Sequence, residues 1–282
     1  MSDRLAGLLQ AHRPYLINLA YQMVGDIGDA EDVVQEAFLR LSQSELDGID
    51  DPRGWLTVVS SRLCLDHVRS ARHRRVTTAE PDLLERTPLL HSAMPDPGDR
   101  VTLDDEVHNA LFEVLGRLSP PERVAFVLHD VFGVPFDEIA DTVGRPTATC
   151  RQLARRARAK IHAAAPATAA VDDTEHHLVT ERFIAACAGG DLAALTEVLA
   201  PDVWGVGTIL ADPAPPAQVN RGRLAVGTNL LRYLTGATLV TGPVGRPVVL
   251  AFSDRRLFAV VVLTIHDGQI AKLEATADPS AR

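Results

Sequence analysis

Through the first 160 positions apolar side chains return every three or four residues, the spacing of one face of a helix. Leu5, Leu8, Leu9, His12, Leu16, Leu19, Ala20 and Met23 form one such stripe, which runs out near Gly25. A second, in DAEDVVQEAFLRLSQ, opens on Asp29, a good N-cap residue, and gathers Ala30, Val33, Val34, Ala37, Phe38 and Leu41 on one side. Pro52 suits the first turn of a longer helix, PRGWLTVVSSRLCLDHVRSARHRR, with Leu56, Val59, Leu63, Leu65 and Val68 as its apolar positions. These stripes predict a helical domain over residues 1–76. Over 77–102 the period is lost among acids and Pro81, Pro88, Pro95 and Pro97, which predicts a flexible acidic linker. Helical spacing resumes from Leu103 to Leu118 and continues through SPPERVAFVLHDVFG, where Ser119 caps and two prolines fill the first turn. Two shorter helical segments complete a second all-α domain, 103–163.

After a small-residue linker at 164–174 the pattern changes. EHHLVTERFIAACAGGDLAALTEVLAPDV predicts two amphipathic helices about Gly189-Gly190, and AVGTNLLRYLTG a third. ATLVTGPV, PVVLAFSD and LFAVVVLTIHDGQIAKLEA are β-rich, with Asp267-Gly268 as a hairpin turn. The chain is therefore expected to be multidomain: two all-α domains followed by an α+β domain over 175–282.

Charge sharpens this division. The formal net charge of −9 hides alternating blocks. Asp26 to Asp51 holds nine acids against Arg40 alone, whereas Arg53 to Arg75 holds six arginines against Asp66 alone. Glu80 to Glu106 is acidic again, and GRPTATCRQLARRARAKI then carries six cations and no acid. With 46% apolar and 23% charged residues the composition suits packed domains. No apolar run reaches the roughly 18 residues of a membrane span, and the first residues lack a signal-peptide pattern, so a cytoplasmic protein without membrane attachment is expected. Cys64, Cys150 and Cys187 form neither a CxxC pair nor an even framework, and are expected to be small buried residues.

The last basic strip has an internal logic. In FDEIADTVGRPTATCRQLARRARAKI, Ala140 stands where a bulkier side chain would strike a following helix, Gly144 can turn with φ > 0, and Cys150 is small where the two helices meet. In the second helix Cys150, Leu153, Ala154, Ala157 and Ile161 share one face, and Thr147, Arg151, Arg155 and Arg158 the other, flanked by Gln152 and Arg156. A helix so divided buries one side and presents Arg and hydroxyls to a major groove. The earlier basic helix is a second nucleic-acid candidate through Arg62, Arg69, Arg72, Arg74 and Arg75, with Trp55 near its start placed to wedge against an exposed base. Two such elements separated by a linker predict a protein that touches two sites on one duplex.

The succession AYQMVGDIGDAEDVVQEAFLRL, DPRGWLTVVSSRLCLDHVRSARHRR, acidic linker and LGRLSPPERVAFVLHDVFGVPFDEIADTVGRPTATCRQLARRARAKI closely resembles extracytoplasmic-function (ECF) sigma factors over residues 8–162. The resemblance implies core RNA polymerase and promoter DNA as partners and no cofactor. It makes the first domain sigma region 2 and the second sigma region 4. Asp32, Gln35, Glu36 and Phe38 would then belong to the surface that docks on the polymerase β′ clamp helices. The helix after Pro52 (Trp55, Arg62, Arg69, Arg72, Arg74, Arg75) would open and read the −10 element, with SELDGIDD accepting a flipped base. Thr147, Thr149, Arg151, Gln152, Arg155, Arg156 and Arg158 would read the −35 element.

The tail, most tellingly ACAGGDLAALTEVLAPDV, resembles the SnoaL-like α+β cone fused to some sigma factors. That resemblance covers enzymes and binding modules alike. Asp202, Asp212, Asp254 and His266 are the available acid–base groups, and His176-His177 is a poor metal pair because adjacent residues on a helix diverge. The expectation is a non-enzymatic domain, with Trp204, Phe252 and Phe258 lining its core or a cavity, that tunes the sigma domains in cis. Two alternatives stand: a one-component helix-turn-helix regulator whose tail senses a small-molecule ligand, and a SnoaL-type enzyme with a DNA-binding leader.

Overall fold

A left-handed glycine, Gly25 (φ +85°), ends the first helix, α1 (Ser2–Val24), and separates it from α2 (Ile27–Gln43). The computed structural model describes residues 2–44, 48–78, 117–162, 173–211, 213, 215–242 and 247–282. Asp26, not Asp29, caps α2: its carboxylate accepts the Asp29 N–H at 2.9 Å. The cap falls three residues earlier than expected because the chain leaves Gly25 already placed for it. Pro52 opens α3 (Pro52–Thr78), as the pattern predicted. The three helices close around Leu16, Leu19, Met23, Val34, Ala37, Leu41 and Leu56, all buried. The linker expected over 77–102 lies outside the described residues from 79 on, as do the helix expected from Leu103, up to residue 116, and most of the linker at 164–174.

The second helical unit starts at α4 (Pro120–Phe126) and continues through a π turn at Val127–Val131. Ser119 and Glu122 form its capping box: the Glu122 carboxylate accepts from Ser119 N and Oγ, each at 2.8 Å. Next come α5 (Phe136–Val143) and α6 (Thr147–His162).

The C-terminal unit is α+β. It runs α7 (Asp173–Gly189), α8 (Leu192–Val198), β1 (Leu199–Ile209), β2 (Gln218–Arg221), α9 (Arg223–Leu234), β3 (Thr238–Thr241), β4 (Val248–Ser253), β5 (Arg256–His266) and β6 (Gln269–Ala277). The sheet order is β2-β1-β6-β5-β4-β3, antiparallel except for the parallel β1–β6 pair. One face of the sheet, through Val249, Ala251, Val261 and Leu263, packs with Phe183 and Leu195 of the unit's own helices. The alternate residues of β3 and β4, Val240, Leu250 and Phe252, enter the core that includes α1. Two-sided burial is why VVLAF is an unbroken apolar run rather than an alternating one. Each such side chain contributes roughly 1.5–3 kcal/mol when fully buried.

The edge strand β3 ends against α1. Asn18 Oδ1 accepts the Thr241 N–H and Oγ–H, both at 2.8 Å, while Gln22 Nε2 donates to Thr241 O (2.5 Å) and Oγ1 (2.9 Å). All three residues are buried, so two amides of a helix satisfy a strand edge that water would otherwise have to reach. The helix-turn-helix unit joins the same assembly. Arg123 Nη1 donates at 2.8 Å to Met23 O in the last turn of α1. Phe132 stands edge-on between Tyr15 of α1 (5.3 Å) and His177 of α7 (5.5 Å).

Candidate nucleic-acid and docking interfaces

In the α5–α6 turn Gly144 is left-handed (φ +67°, ψ +39°), and its N–H donates to Ala140 O at 2.9 Å. Cys150, Ala154 and Ala157 are fully buried against α4 and α5, with Leu153 and Ile161 partly so. The predicted apolar face is therefore the buried one. On the other side Arg151, Gln152, Arg155 and Arg156 are exposed, and Thr147 and Thr149 half-buried. Two cations of the strip form ion pairs within the unit, and Arg151 lies 5.7 Å above the Phe136 ring of α5. Arg158 Nε donates to Asp130 Oδ1 at 2.7 Å, and Lys160 Nζ to Glu122 Oε2 at 2.6 Å. Burial alone would raise the Glu122 pKa, but the hydrogen bonds from Lys160 and Ser119 outweigh it and hold the carboxyl below its ordinary value. Arg145 and Ala148 are also exposed beside this face. Sequence reasoning passed over them because it counted the face from Thr147 and looked only for its helical repeat.

The α3 residues divide. Trp55 is half-buried and packs on the α1–α3 core. Arg62 and Arg69 are exposed; Arg62 Nη2 donates at 2.8 Å to Asp141 O at the end of α5, and Arg69 pairs with Asp66 at 3.8 Å. Arg72, Arg74 and Arg75 belong to the last turns of α3, where the side chains lie outside the described residues. Part of the SELDGIDD loop, 45–47, is likewise outside.

On α2, Asp32 and Gln35 are exposed and Glu36 is half-exposed, paired with Arg40 at 2.8 Å. Leu39, 49% exposed, completes the stripe at i, i+3, i+4 spacing and was missed because it reads as core in a helix that already has enough core residues. Phe38 is a correction: only 6% exposed, it packs behind the stripe and presents no side chain to a partner. Its position follows from the helical period that puts Val34, Ala37, Phe38 and Leu41 on the core side. The head of the stripe is not free. Glu31 accepts from Arg13 (3.1 Å), and Arg255 of the C-terminal sheet bonds Glu31 (3.1 Å) and Asp32 (2.6 Å).

The C-terminal acid–base candidates are not brought together. Asp202, Asp254 and His266 are each exposed on separate strand or turn positions, and Asp212 lies outside the described residues. No group of three His, Cys, Asp or Glu fit for a metal occurs among the described residues. Trp204 is a second correction: it is 37% exposed on the sheet with Lys272 Nζ 4.8 Å above its ring, because β1 lies beyond the part of the sheet that α1 covers. Phe252 packs on Tyr21 of α1 (5.6 Å) and lines one side of a cleft beside it. An open cleft of about 470 Å³ between α1, α2 and the β4–β5 turn is lined by the charged Arg13, Glu31, Asp254 and Arg255 together with Ile27 and Phe252. The three cysteines are unpaired and buried; burial pushes the Cys64 and Cys150 thiols up and that of Cys187 up to about 12. No helix among the described residues is long and apolar enough to cross a membrane.

A helical unit with a basic helix, followed by a helix-turn-helix with an arginine face, is the layout of a bipartite promoter-recognition factor. The family comparisons give that class a name: residues 8–74 match Sigma-70 region 2, and residues 108–161 match Sigma-70, region 4. SigI of Mycobacterium tuberculosis, named a probable ECF RNA polymerase sigma factor, is 48% identical over 99% of this chain and 94% of its own. SigJ, an ECF RNA polymerase sigma factor of the same species, is 38% identical over 96% and 90%. The crystal structure of SigJ aligns over 98% of this chain and 97% of that one at 31% identity, with a TM-score of 0.39. This chain belongs to the ECF RNA polymerase sigma factors.

Proposed function

We propose that this sigma factor binds core RNA polymerase through the α2 stripe, reads the −10 element with α3 and the −35 element with α6, and is held inactive in cis by its C-terminal domain. It acts by binding alone and makes or breaks no covalent bond. The observation that carries the regulatory part is the burial of Val240, Leu250, Phe252 and Thr241 of the C-terminal sheet against α1. In this arrangement the two DNA-reading units also touch, through Arg62 and Asp141. Elements named −10 and −35 lie about 25 base pairs apart, roughly 85 Å of duplex at 3.4 Å per base pair. Units in contact cannot occupy both, so the described arrangement is a closed state that opens before promoter recognition. Core-polymerase affinity and run-off transcription, compared for the full chain and for residues 1–165, test this. Tighter binding and higher activity of the shorter chain are expected. Equal values would end the cis reading, and failure of residues 1–165, freed of the C-terminal domain, to associate with core polymerase would end the assignment of α2.

A further inference from the structure

The β4–β5 turn is two residues, Asp254-Arg255, between the paired Ser253 and Arg256, and both are left-handed (φ +48° and +64°). Turns of this kind favour Gly in the second place. The β5–β6 turn of the same sheet has it: Asp267-Gly268, φ +50° and +69°. Arg255 thus occupies a backbone position that disfavours it. Facing it is the converse case. Gly28 lies in the first turn of α2 and is not left-handed, so nothing in its backbone asks for Gly, which weakens a helix. The two meet. A Cβ on Gly28 would stand 3.2 Å from Arg255 Nη1 and 3.4 Å from its Cδ, as well as 3.1 Å from Asp26 Oδ1. Each residue runs against its local preference, and each makes room for or reaches the other.

From this seat the guanidinium bonds Glu31 through Nε and Asp32 through Nη2. Glu31 is an anchor, since Arg13 (3.1 Å) and Thr238 (3.4 Å) also donate to it. Asp32, with its side chain 62% exposed, heads the stripe that continues through Gln35, Glu36 and Leu39. None of these last three bonds the turn; Glu36 pairs with Arg40 of its own helix.

We propose that the Asp254-Arg255 turn is a built-in cap on the polymerase dock. Arg255 holds the carboxylates that a cationic side chain of the polymerase takes up, so docking exchanges one cation for another and requires the turn to leave α2. Gln35, Glu36 and Leu39 are the foothold from which the exchange begins. This rests on the reading of α2 as the dock.

Arg255→Gly is the decisive variant, because it gives the turn the residue it prefers while deleting the cation. The full-length chain, fluorescently labelled, is titrated with core RNA polymerase at about 50 and about 300 mM salt, where screening of exposed charges differs strongly. R255G is expected to bind roughly 1.4- to fivefold tighter at the lower salt, in keeping with an exposed ion-pair contact, with the difference shrinking at the higher. Asp32→Asn introduced into R255G is expected to remove that gain, and Glu36→Lys, on the uncapped part of the stripe, to weaken binding in either background. If R255G binds as the parent does while Glu36→Lys weakens binding, the cap is wrong and the dock stands. If neither change matters, the dock is wrong as well. Weaker binding by R255G would make Arg255 itself a polymerase contact and would also overturn the cap.

Discussion

Replacing Asn18 with Ala isolates the polar knot between α1 and the sheet edge. Asn18 Oδ1 accepts both the backbone N–H and the Oγ–H of Thr241 at 2.8 Å, and both residues are buried. Without it the Thr241 hydroxyl still accepts from Gln22, but the backbone N–H at the sheet edge is left buried without its acceptor. Leaving a buried donor unsatisfied costs about 1–3 kcal/mol. That cost falls on the closed state alone, because in the open state the same N–H meets water. The closed-to-open ratio should therefore drop by roughly 5- to 150-fold. Hydrogen exchange of a peptide covering 238–242 measures this directly in the full chain. Its exchange should accelerate by that factor while the core strand β5 keeps its protection. An unchanged rate over 238–242 would show that the knot does not hold the two units together. Equal acceleration in β5 would show that the substitution loosens the whole domain rather than parting it from α1.

Other expectations follow from the helix-turn-helix unit. Arg155→Ala should weaken promoter binding and lower the salt slope of affinity by about one if Arg155 meets a phosphate, whereas Arg158→Ala should change the slope less because Arg158 is tied to Asp130; salt-dependent binding isotherms separate the two. Gly144→Ala should destabilise the unit by about 1–2 kcal/mol in a urea titration, purely through its left-handed φ of +67°, since an added Cβ would meet nothing within 4 Å. Glu122 has a depressed folded pKa, so its contribution is present above the ordinary glutamate value of about 4.3 and is lost as pH falls through the folded one. Glu122→Gln should accordingly lower stability by about 1.5–3 kcal/mol at neutral pH, with the gap to the parent closing in denaturation curves taken toward pH 3.

What periodicity reports is local, and the parts of this fold that were legible are local too. The stripe ending at Gly25, the helix opening at Pro52, the Gly144 turn with Cys150 beneath it, and the Asp267-Gly268 hairpin each need only a few consecutive residues to be recognised. The contacts that make the closed state join residues more than two hundred positions apart, such as Asn18 with Thr241 and Asp32 with Arg255, and no repeat along the chain encodes them. They still left marks. Asn18 and Gln22 are amides at i, i+4 within the apolar run LINLAYQM, where an isolated helical bundle would place aliphatic side chains. VVLAF and LFAVVVL are too uniformly apolar for a sheet with one wet face. Phe38 shows the opposite failure: a motif match assigned it to a docking surface, while its own helical period had already placed it inside.

If α3 and α6 read the promoter as proposed, the short segment between α6 and α7 makes closure and promoter binding exclusive. Only residues 163–172 join the −35 reader to the C-terminal domain, and ten residues span at most about 33–36 Å. Helical units of this size have radii of roughly 13–15 Å, so a C-terminal domain still seated on α1 would keep α6 within roughly 60–65 Å of α3. The two promoter elements are roughly 85 Å apart along the duplex. Once α6 sits on the −35 element and α3 on the −10 element, the sheet has therefore been drawn off α1, and the Arg255 turn off α2 with it. The converse holds by the same geometry: a domain that reseats on α1 pulls region 4 back from the DNA. Binding energy at the promoter thus opposes the burial of Val240, Leu250 and Phe252 directly. On the proposed reading the domain would need no contact with DNA to regulate promoter occupancy, because the tether and the α1 interface would suffice.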